Sequence, residues 1–203
     1  FFHNELWHSY SHHSRFSHPD KSTCLGLINK EMHEANLFLK NPGCLILTFG
    51  TAWVYERADT GEIVSNCHKL PQEAFRRRLL TAEEIFSDYS ELITSLKKSN
   101  PALKLIFTLS PIRHFKDGAE NNSLSKAILR VAIDKICREN KTNYFPSYEL
   151  MMDDLRDYRF YDTDLCHPSK QAVDYIWEKF SECYFTDETK NILKKIGELN
   201  AAL

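Results

Sequence analysis

Short apolar segments alternate with longer amphipathic segments along the chain. Residues 43–50 and 103–109 are continuous apolar runs, and such runs are typical of strands that are buried on both faces of a sheet. A third, shorter strand is predicted at residues 143–146. Apolar residues at helical spacing, with capping residues before them, predict the helices. These begin near Ser22, Thr81, Ser123, Pro168 and Asp187.

The order of these segments predicts an α/β fold. Strands that alternate with amphipathic helices form parallel βαβ units, in which functional loops lie at the carboxyl ends of the strands. Residues 1–42 are polar and are expected to form a surface-wrapping loop and then a helix, and residues 186–203 a terminal helix. Because buried strands need both faces covered and both edges protected, this small sheet is expected to borrow one or two strands from elsewhere.

Composition narrows the classes of function. At 203 residues and 42% hydrophobic content, the chain can bury one ordinary core, so a single domain over residues 1–203 is expected. A net charge of -2 gives no basic excess, which argues against nucleic acid and anionic membranes as partners. The apolar runs are far shorter than the roughly 20 residues of a membrane-spanning helix. Six scattered cysteines without a CxxC pair favour a reduced, cytoplasmic setting.

The candidate chemistry centres on an Asp–His pair in the last strand-to-helix loop. Asp164 precedes His167 by three residues, in the only DxxH of the chain. This spacing lets the carboxylate accept a hydrogen bond from one imidazole nitrogen while the other nitrogen faces a nucleophile, which is the base-and-orienter half of a hydrolytic triad. The same letters also fit a helix-capping acid beside a surface histidine.

Two other loops follow predicted strands and converge on the same rim, at residues 48–53 and 110–114. Gly50 fits either a tight turn or a backbone N–H that approaches a ligand oxygen. Arg113 and His114 fit either ligands of a carboxylate or of sugar hydroxyls, or structural salt bridges.

Asn66 and His68 form a polar cluster after a short extended segment. Asn66 fits an oxyanion donor and His68 a substrate ligand, but turn residues of this kind are usually structural. The N-terminal segment is rich in histidine without the carboxylate or cysteine that would complete a recognisable ligand spacing, so no metal and no organic cofactor is predicted.

Several strings, taken together, resemble the GSCFA family of bacterial proteins over nearly the whole chain. They are LTFGTAWVY at 47–55, NCHK at 66–69, SPIRH at 110–114, YFPSYE at 144–149, DYRFY at 157–161 and DLCHP at 164–168. The family is named for a Gly-Ser-Cys-Phe-Ala motif near its N-terminus, which does not occur in this sequence. The family looks like a branch of the SGNH (GDSL-like) hydrolases.

The resemblance implies a three-layer α/β/α sandwich with a parallel sheet, SGNH-hydrolase-like (flavodoxin-like), whose first two strands and nucleophilic serine lie upstream of this chain. His167 is then the general base, Asp164 fixes its tautomer, and Gly50 supplies a backbone amide to the oxyanion hole. Ala52 stands where SGNH proteins have an oxyanion asparagine, and Asn66 is the candidate substitute.

The activity that the resemblance implies is serine-dependent hydrolysis of an acyl ester, with a carbohydrate or similar small-molecule ester as substrate. His68, Arg113 and His114 are the expected substrate-binding side chains. A catalytically silent glycan-binding protein is the chief alternative, and Ala52 favours it. An O-acyltransferase would use the same residues. The sequence leaves the oligomeric state open.

Overall fold

A computed structural model describes the backbone of residues 1–202 and the side chains of residues 1–200. The strands are β1 (Phe2–His3), β2 (Leu6–Trp7), β3 (Cys44–Phe49), β4 (Trp53–Arg57), β5 (Ile63–Val64), β6 (Phe75–Leu79), β7 (Lys104–Leu109) and β8 (Asn143–Phe145). The α-helices are α1 (Lys21–Leu39), α2 (Ala82–Ser99), α3 (Gly118–Asn140), α4 (Ser147–Glu149), α5 (Lys170–Tyr184) and α6 (Asp187–Ala202). Short 3₁₀ turns lie at Ser14–Phe16, Gln72–Ala74, Phe115–Asp117 and Tyr158–Phe160, and a π-helical turn lies at Leu150–Asp154.

The central sheet is parallel and has the strand order β3–β7–β8. On one face, the apolar side chains of β3 and β7 pack against α2 and α3 around Phe107 and Ile133. On the other face, Ile106 and Phe145 pack against Phe180 of α5. The predicted α/β class with a parallel sheet is confirmed. The helices form where predicted because their apolar residues recur at helical spacing and so meet the sheet together.

β3 is an edge strand of this sheet, and the prediction that it is buried on both faces is wrong. Leu45 and Leu47 are half-buried against the helices α2 and α3, but Ile46 is 48% exposed on the opposite face. The reason is that α5 packs over β7 and β8 and leaves the β3 end of that face open. Val173 and Trp177, expected on the apolar face of α5, line a cavity with Ile46 and are more than half exposed.

A second, antiparallel sheet with the order β5–β4–β6 follows β3, and the sequence pattern did not predict it. β6 reads Phe-Arg-Arg-Arg-Leu, which lacks an apolar alternation. Carboxylates compensate these charges, since Arg78 donates to Glu56 and to Glu84 at 2.7 Å each and Arg77 donates to Asp117. Ion pairs therefore hold this strand in place. A search for alternating apolar residues misses it for that reason.

α3 begins at Gly118, whereas the sequence pattern placed its start at Ser123. Asp117 precedes the helix with its side chain 2% exposed and paired with Arg77 of β6, so a contact from the second sheet anchors the first turn. The segment before α5, in which the sequence pattern predicted only a loop, is likewise partly helical, because π-helical and 3₁₀ turns lie at Leu150–Asp154 and Tyr158–Phe160.

The N-terminal segment lies against the second sheet. The carbonyl of Tyr10 accepts hydrogen bonds from the N–H groups of Ser65 and Asn66, at 2.9 and 3.0 Å, just after β5. Within the described part of the chain, no helix combines the length and the apolar character that crossing a membrane requires.

The two faces of α3 give a test of this packing. Ile133 is fully buried between α3 and the sheet, whereas Val131 on the same helix is 62% exposed. Ile133→Ala should lower the free energy of unfolding by about 2–5 kcal/mol, because it removes buried methyl groups and leaves a cavity. Val131→Ala, the matched control, should change it by less than about 0.5 kcal/mol. Urea denaturation measures both, and similar losses in the two variants would contradict the orientation of α3.

Candidate functional site

Asp164 and His167 form a directly hydrogen-bonded pair in the loop before α5. His167 Nδ1 lies 2.5 Å from Asp164 Oδ2. Asp164 Oδ1 accepts the backbone N–H groups of Cys166 and His167 at 2.8 and 2.9 Å. The prediction that the pair lies within direct hydrogen-bonding reach is confirmed. Since Nδ1 is engaged, the free ring nitrogen of His167 is Nε2, which has no hydrogen-bond partner among the described residues.

Backbone hydrogen bonds at its base fix the shape of this loop. Asp162 N–H donates to the His167 carbonyl at 2.8 Å, and Ser169 N–H donates to the Phe160 carbonyl at 2.8 Å. Leu165, between the two members of the pair, has φ of 56°, in the left-handed region that non-glycine residues rarely adopt. Such strain persists only where surrounding contacts enforce it, and it is concentrated at functional sites.

The pair does not cap the following helix. Ser169 is the N-cap of α5, and its hydroxyl accepts the Ala172 N–H. The helix-capping interpretation of Asp164 is therefore wrong. The hydrogen bond from His167, followed by those from the backbone N–H groups, lowers the pKa of Asp164 to about 2. Asp164 is thus an anion at neutral pH that holds the imidazole in one orientation.

Gly50 lies at the carboxyl end of β3, on the rim formed by the strand ends. Its neighbour Phe49 accepts the Ser110 N–H through its carbonyl at 2.8 Å, so this carbonyl points towards β7. In a trans peptide the C=O and N–H point in opposite directions, so the Gly50 N–H points away from β7, towards the unpaired edge of β3. A Cβ at Gly50 would lie 3.7 Å from His114 Nε2, which places His114 beside this amide.

The loop after β7 joins Gly50 to the Asp–His loop. Cys166, the residue before His167, donates its thiol to the Arg113 carbonyl at 2.9 Å. The backbone N–H of His114 donates to the Asn122 side chain at 3.0 Å. The loop after β7 therefore contacts the Asp–His loop through Arg113 and Cys166, and it lies beside Gly50 through His114, as the convergence of the strand-end loops predicted.

Asn66 and His68 bond to the N-terminal segment. The side-chain amide of Asn66 donates to the His12 carbonyl at 3.5 Å, and its oxygen accepts the His68 N–H at 2.9 Å. His68 is buried, and its Nε2 lies 2.8 Å from the Ser9 carbonyl. The structure does not bring these two residues into contact with the Asp–His pair, so their oxyanion and substrate roles stay predictions.

Ala52 is fully buried in the core next to α2 and α3. Its N–H donates to the hydroxyl of Ser125 at 2.8 Å. The side chain at this position therefore points into the core and away from the rim. An oxyanion amide would have no room at Ala52 without a rearrangement of the core.

Lys126 is a site residue that the sequence did not reveal. Its side chain is almost completely buried, and Nζ donates to the Gly50 and Ser110 carbonyls at 2.7 Å each. Burial lowers the pKa of Lys126 to about 8. In the sequence, Ser125 and Lys126 lie on the inner face of a predicted helix, where a charged residue is rarely found without a buried partner. That position could have indicated a role for Lys126.

The model of the GSCFA family matches residues 1–180, a range that includes every candidate residue on the rim. The chain belongs to the GSCFA family. No curated protein matches it closely enough to count as a relative. Among the described residues of this GSCFA protein, no group of three or more His, Cys, Asp or Glu side chains has an arrangement that could hold a metal ion.

The hydrogen bond from His167 gives a test of the pair. In His167→Ala, the pKa of Asp164 should rise from about 2 towards the ordinary value of 3.8. It should stay below that value, because two backbone N–H groups still stabilise the carboxylate. Titration of the Asp164 carboxyl carbon by NMR measures this, with His114→Ala as the control that should leave the pKa unchanged. An unchanged Asp164 pKa in His167→Ala would contradict the paired geometry.

Proposed function

We propose that this GSCFA chain carries the Asp/His part of an SGNH-type serine esterase that removes an acyl group from a carbohydrate. The observation that carries the proposal is the fixed orientation of His167. Asp164 holds Nδ1, and the side chains of Asp164 and His167 are 49% and 58% exposed, so that Nε2 is open to a partner on the rim. This is the arrangement that a general base needs beside a nucleophilic hydroxyl.

In the proposed reaction, His167 Nε2 takes the proton of the serine hydroxyl as its oxygen attacks the ester carbonyl. Asp164 stabilises the imidazolium that forms. The tetrahedral oxyanion lies near the Gly50 N–H, and its collapse releases the sugar alcohol, which receives the proton from His167. Water then attacks the acyl-enzyme and gives its proton to the same nitrogen, and the second tetrahedral intermediate releases the carboxylic acid as His167 returns that proton to the serine oxygen.

The open edge of β3 supports the proposed position of the serine. The Phe49 carbonyl points to β7, so the N–H and C=O groups of the alternate residues Ile46 and Thr48 point to the unpaired edge. The Gly50 N–H points to the same edge. A parallel strand added at this edge would end beside Gly50. In the proposed SGNH-type, three-layer α/β/α sandwich, that strand bears the serine of the Gly-Ser-Cys-Phe-Ala segment and covers the exposed Ile46.

The proposed oxyanion hole needs a second donor besides the Gly50 N–H. Ala52 is buried and offers no side-chain donor. Asn66 remains the candidate substitute, because its amide makes only a long, 3.5 Å bond to His12 and could exchange it for a substrate oxygen. Removal of one such donor by Asn66→Ala should cost roughly 3 kcal/mol of transition-state stabilisation.

A catalytically silent glycan-binding protein is the second candidate function. The burial of Ala52 favours it, because the oxyanion role then rests on the Gly50 N–H, with Asn66 as the candidate substitute. A binding protein would use Arg113 and His114 and would have no need of an activated serine. Covalent labelling of a serine separates the two functions.

The esterase test uses a polypeptide that joins this chain to the family's Gly-Ser-Cys-Phe-Ala segment. It should hydrolyse p-nitrophenyl acetate and label with a fluorophosphonate at the serine of that segment. His167→Ala should lower kcat by roughly 10²–10⁴-fold, since it removes the general base. The matched control is His33→Ala, an exposed histidine of α1. Absence of labelling would favour the binding protein, and labelling of Ser110 would refute the proposed nucleophile.

The Gly50 amide gives a separate prediction in the same polypeptide. Gly50→Pro removes the N–H and should lower kcat by roughly 10²–10³-fold, the usual effect of losing one oxyanion donor. Gly50→Ala keeps the N–H, and its Cβ would make an ordinary 3.7 Å contact with His114, so its kcat should stay near that of the parent. Thermal unfolding confirms that both variants fold. Equal rates in the two variants would remove Gly50 from the oxyanion hole.

A further inference from the structure

Arg113 lies between two cavities on the rim beside the Asp–His loop. The lining of one cavity, of about 230 Å³, includes Arg113, Met151, Leu155, Arg156, Asp157 and Tyr161. The other, of about 310 Å³, shares Arg113 and Tyr158 and includes His114. We propose that Arg113 is the anchor of a subsite for a carboxylate on the substrate, which makes the substrate class an acylated acidic sugar such as a hexuronic acid. The inference rests on the proposed function, because it names the substrate of the same rim.

The guanidinium of Arg113 is held in place with most of its donors unused. It donates to the Tyr161 hydroxyl at 3.0 Å, and it lies over the Tyr161 ring at 4.4 Å and the Tyr158 ring at 5.8 Å. A guanidinium has five N–H donors in a rigid fork, and the bond to Tyr161 is its one side-chain hydrogen bond among the described residues. Stacking therefore fixes an open fork at the cavity wall.

The charge of Arg113 has no carboxylate beside it. Arg156, in the same cavity wall, pairs with Asp153 at 3.0 Å, and Asp157 pairs with Arg159 at 2.9 Å. Within each of these two pairs the opposite charges compensate each other. None of the ion pairs among the described residues includes Arg113. A partly buried cation without a partner costs free energy that a bound anion would recover.

The surroundings of the fork suit a sugar ring. Tyr158 is 66% exposed and presents an aromatic surface to both cavities, while Met151 and Leu155 supply an apolar wall. The π-helical turn Leu150–Asp154 forms part of this wall, and such turns are frequent at functional sites. The loop that carries Arg113 is bonded to the Asp–His loop, because the Arg113 carbonyl accepts the thiol of Cys166, next to His167.

A carboxylate fits this site better than a neutral sugar does. The planar fork of arginine matches the two oxygens of a carboxylate, and charged, bidentate hydrogen bonds are the strong ones. A hexuronic acid combines this group with a ring whose C–H faces can contact tyrosine. A phosphate shares the anionic chemistry, so the test includes a phosphorylated sugar as a separate arm.

The test measures binding, which needs no nucleophile and no turnover. Methyl glucuronide, methyl glucoside and glucose 6-phosphate are titrated into the chain, with NMR shifts as readout. The glucuronide should bind about tenfold or more tighter than the glucoside, the effect expected for one charged hydrogen-bonded contact. Arg113→Met should reduce the affinity for the glucuronide to that for the glucoside, and Arg113→Lys should retain part of the difference.

Arg138→Met is the matched control, because Arg138 pairs with Asp134 on α3 and lines neither cavity, and it should leave the preference intact. The titration of Asp164 shows whether the rim of each variant is intact. Equal affinity for glucuronide and glucoside, equal effects of the two arginine variants, or tight binding of glucose 6-phosphate alone would each overturn the carboxylate subsite. A chain that binds the glucuronide through Arg113, but whose extended form labels no serine, would uphold the subsite and refute the esterase.

Discussion

The rim depends on one buried ammonium. Lys126 is 2% exposed, and its Nζ joins the carbonyls of Gly50 and Ser110, the residues that follow β3 and β7. Because burial lowers the pKa of Lys126 only to about 8, the group keeps its proton at neutral pH and makes two charge-assisted hydrogen bonds. Without it, two half-buried carbonyls would lose their partner, and the ends of β3 and β7 would lose a link between them. This contact holds the peptide that follows Gly50, whereas the Gly50 N–H, the proposed oxyanion donor, is oriented by the bond between the Phe49 carbonyl and the Ser110 N–H.

A second contact from the same helix fixes the rest of that loop. Ser125 accepts the Ala52 N–H and bonds to the Thr51 hydroxyl at 3.1 Å. α3 thus holds residues 50–52 through two neighbouring polar side chains, while its apolar residues pack in the core. α3 packs on β7 and β8, and the Arg77–Asp117 pair separately anchors its first turn. The helix that supports the sheet also sets the geometry of the rim.

Local features could be predicted from the sequence, and features that depend on distant contacts could not. The Asp164–His167 bond spans three residues, so its spacing and its position in the last strand-to-helix loop indicated it. The capping box of Thr81 and Glu84 was equally local, and α2 begins where it indicated. The arginine-rich β6 and the early start of α3 depend on ion pairs between segments far apart in sequence, which leave no periodic signal. The exposure of Ile46 reflects what packs on β3 and could not be read from an apolar run.

The position of the Asp–His pair bears on whether the rim is catalytic. Asp164 does not cap α5, because Ser169 does, and both side chains of the pair are about half exposed. Both carboxylate oxygens of Asp164 accept hydrogen bonds within its own loop. Leu165, which lies between Asp164 and His167 in the sequence, adopts a strained conformation. These hydrogen bonds and the strained backbone give an imidazole whose Nδ1 is bonded and whose Nε2 is free within the described part of the chain. A ligand could be bound by a mobile histidine, whereas proton transfer needs a fixed one, and the loop provides that orientation.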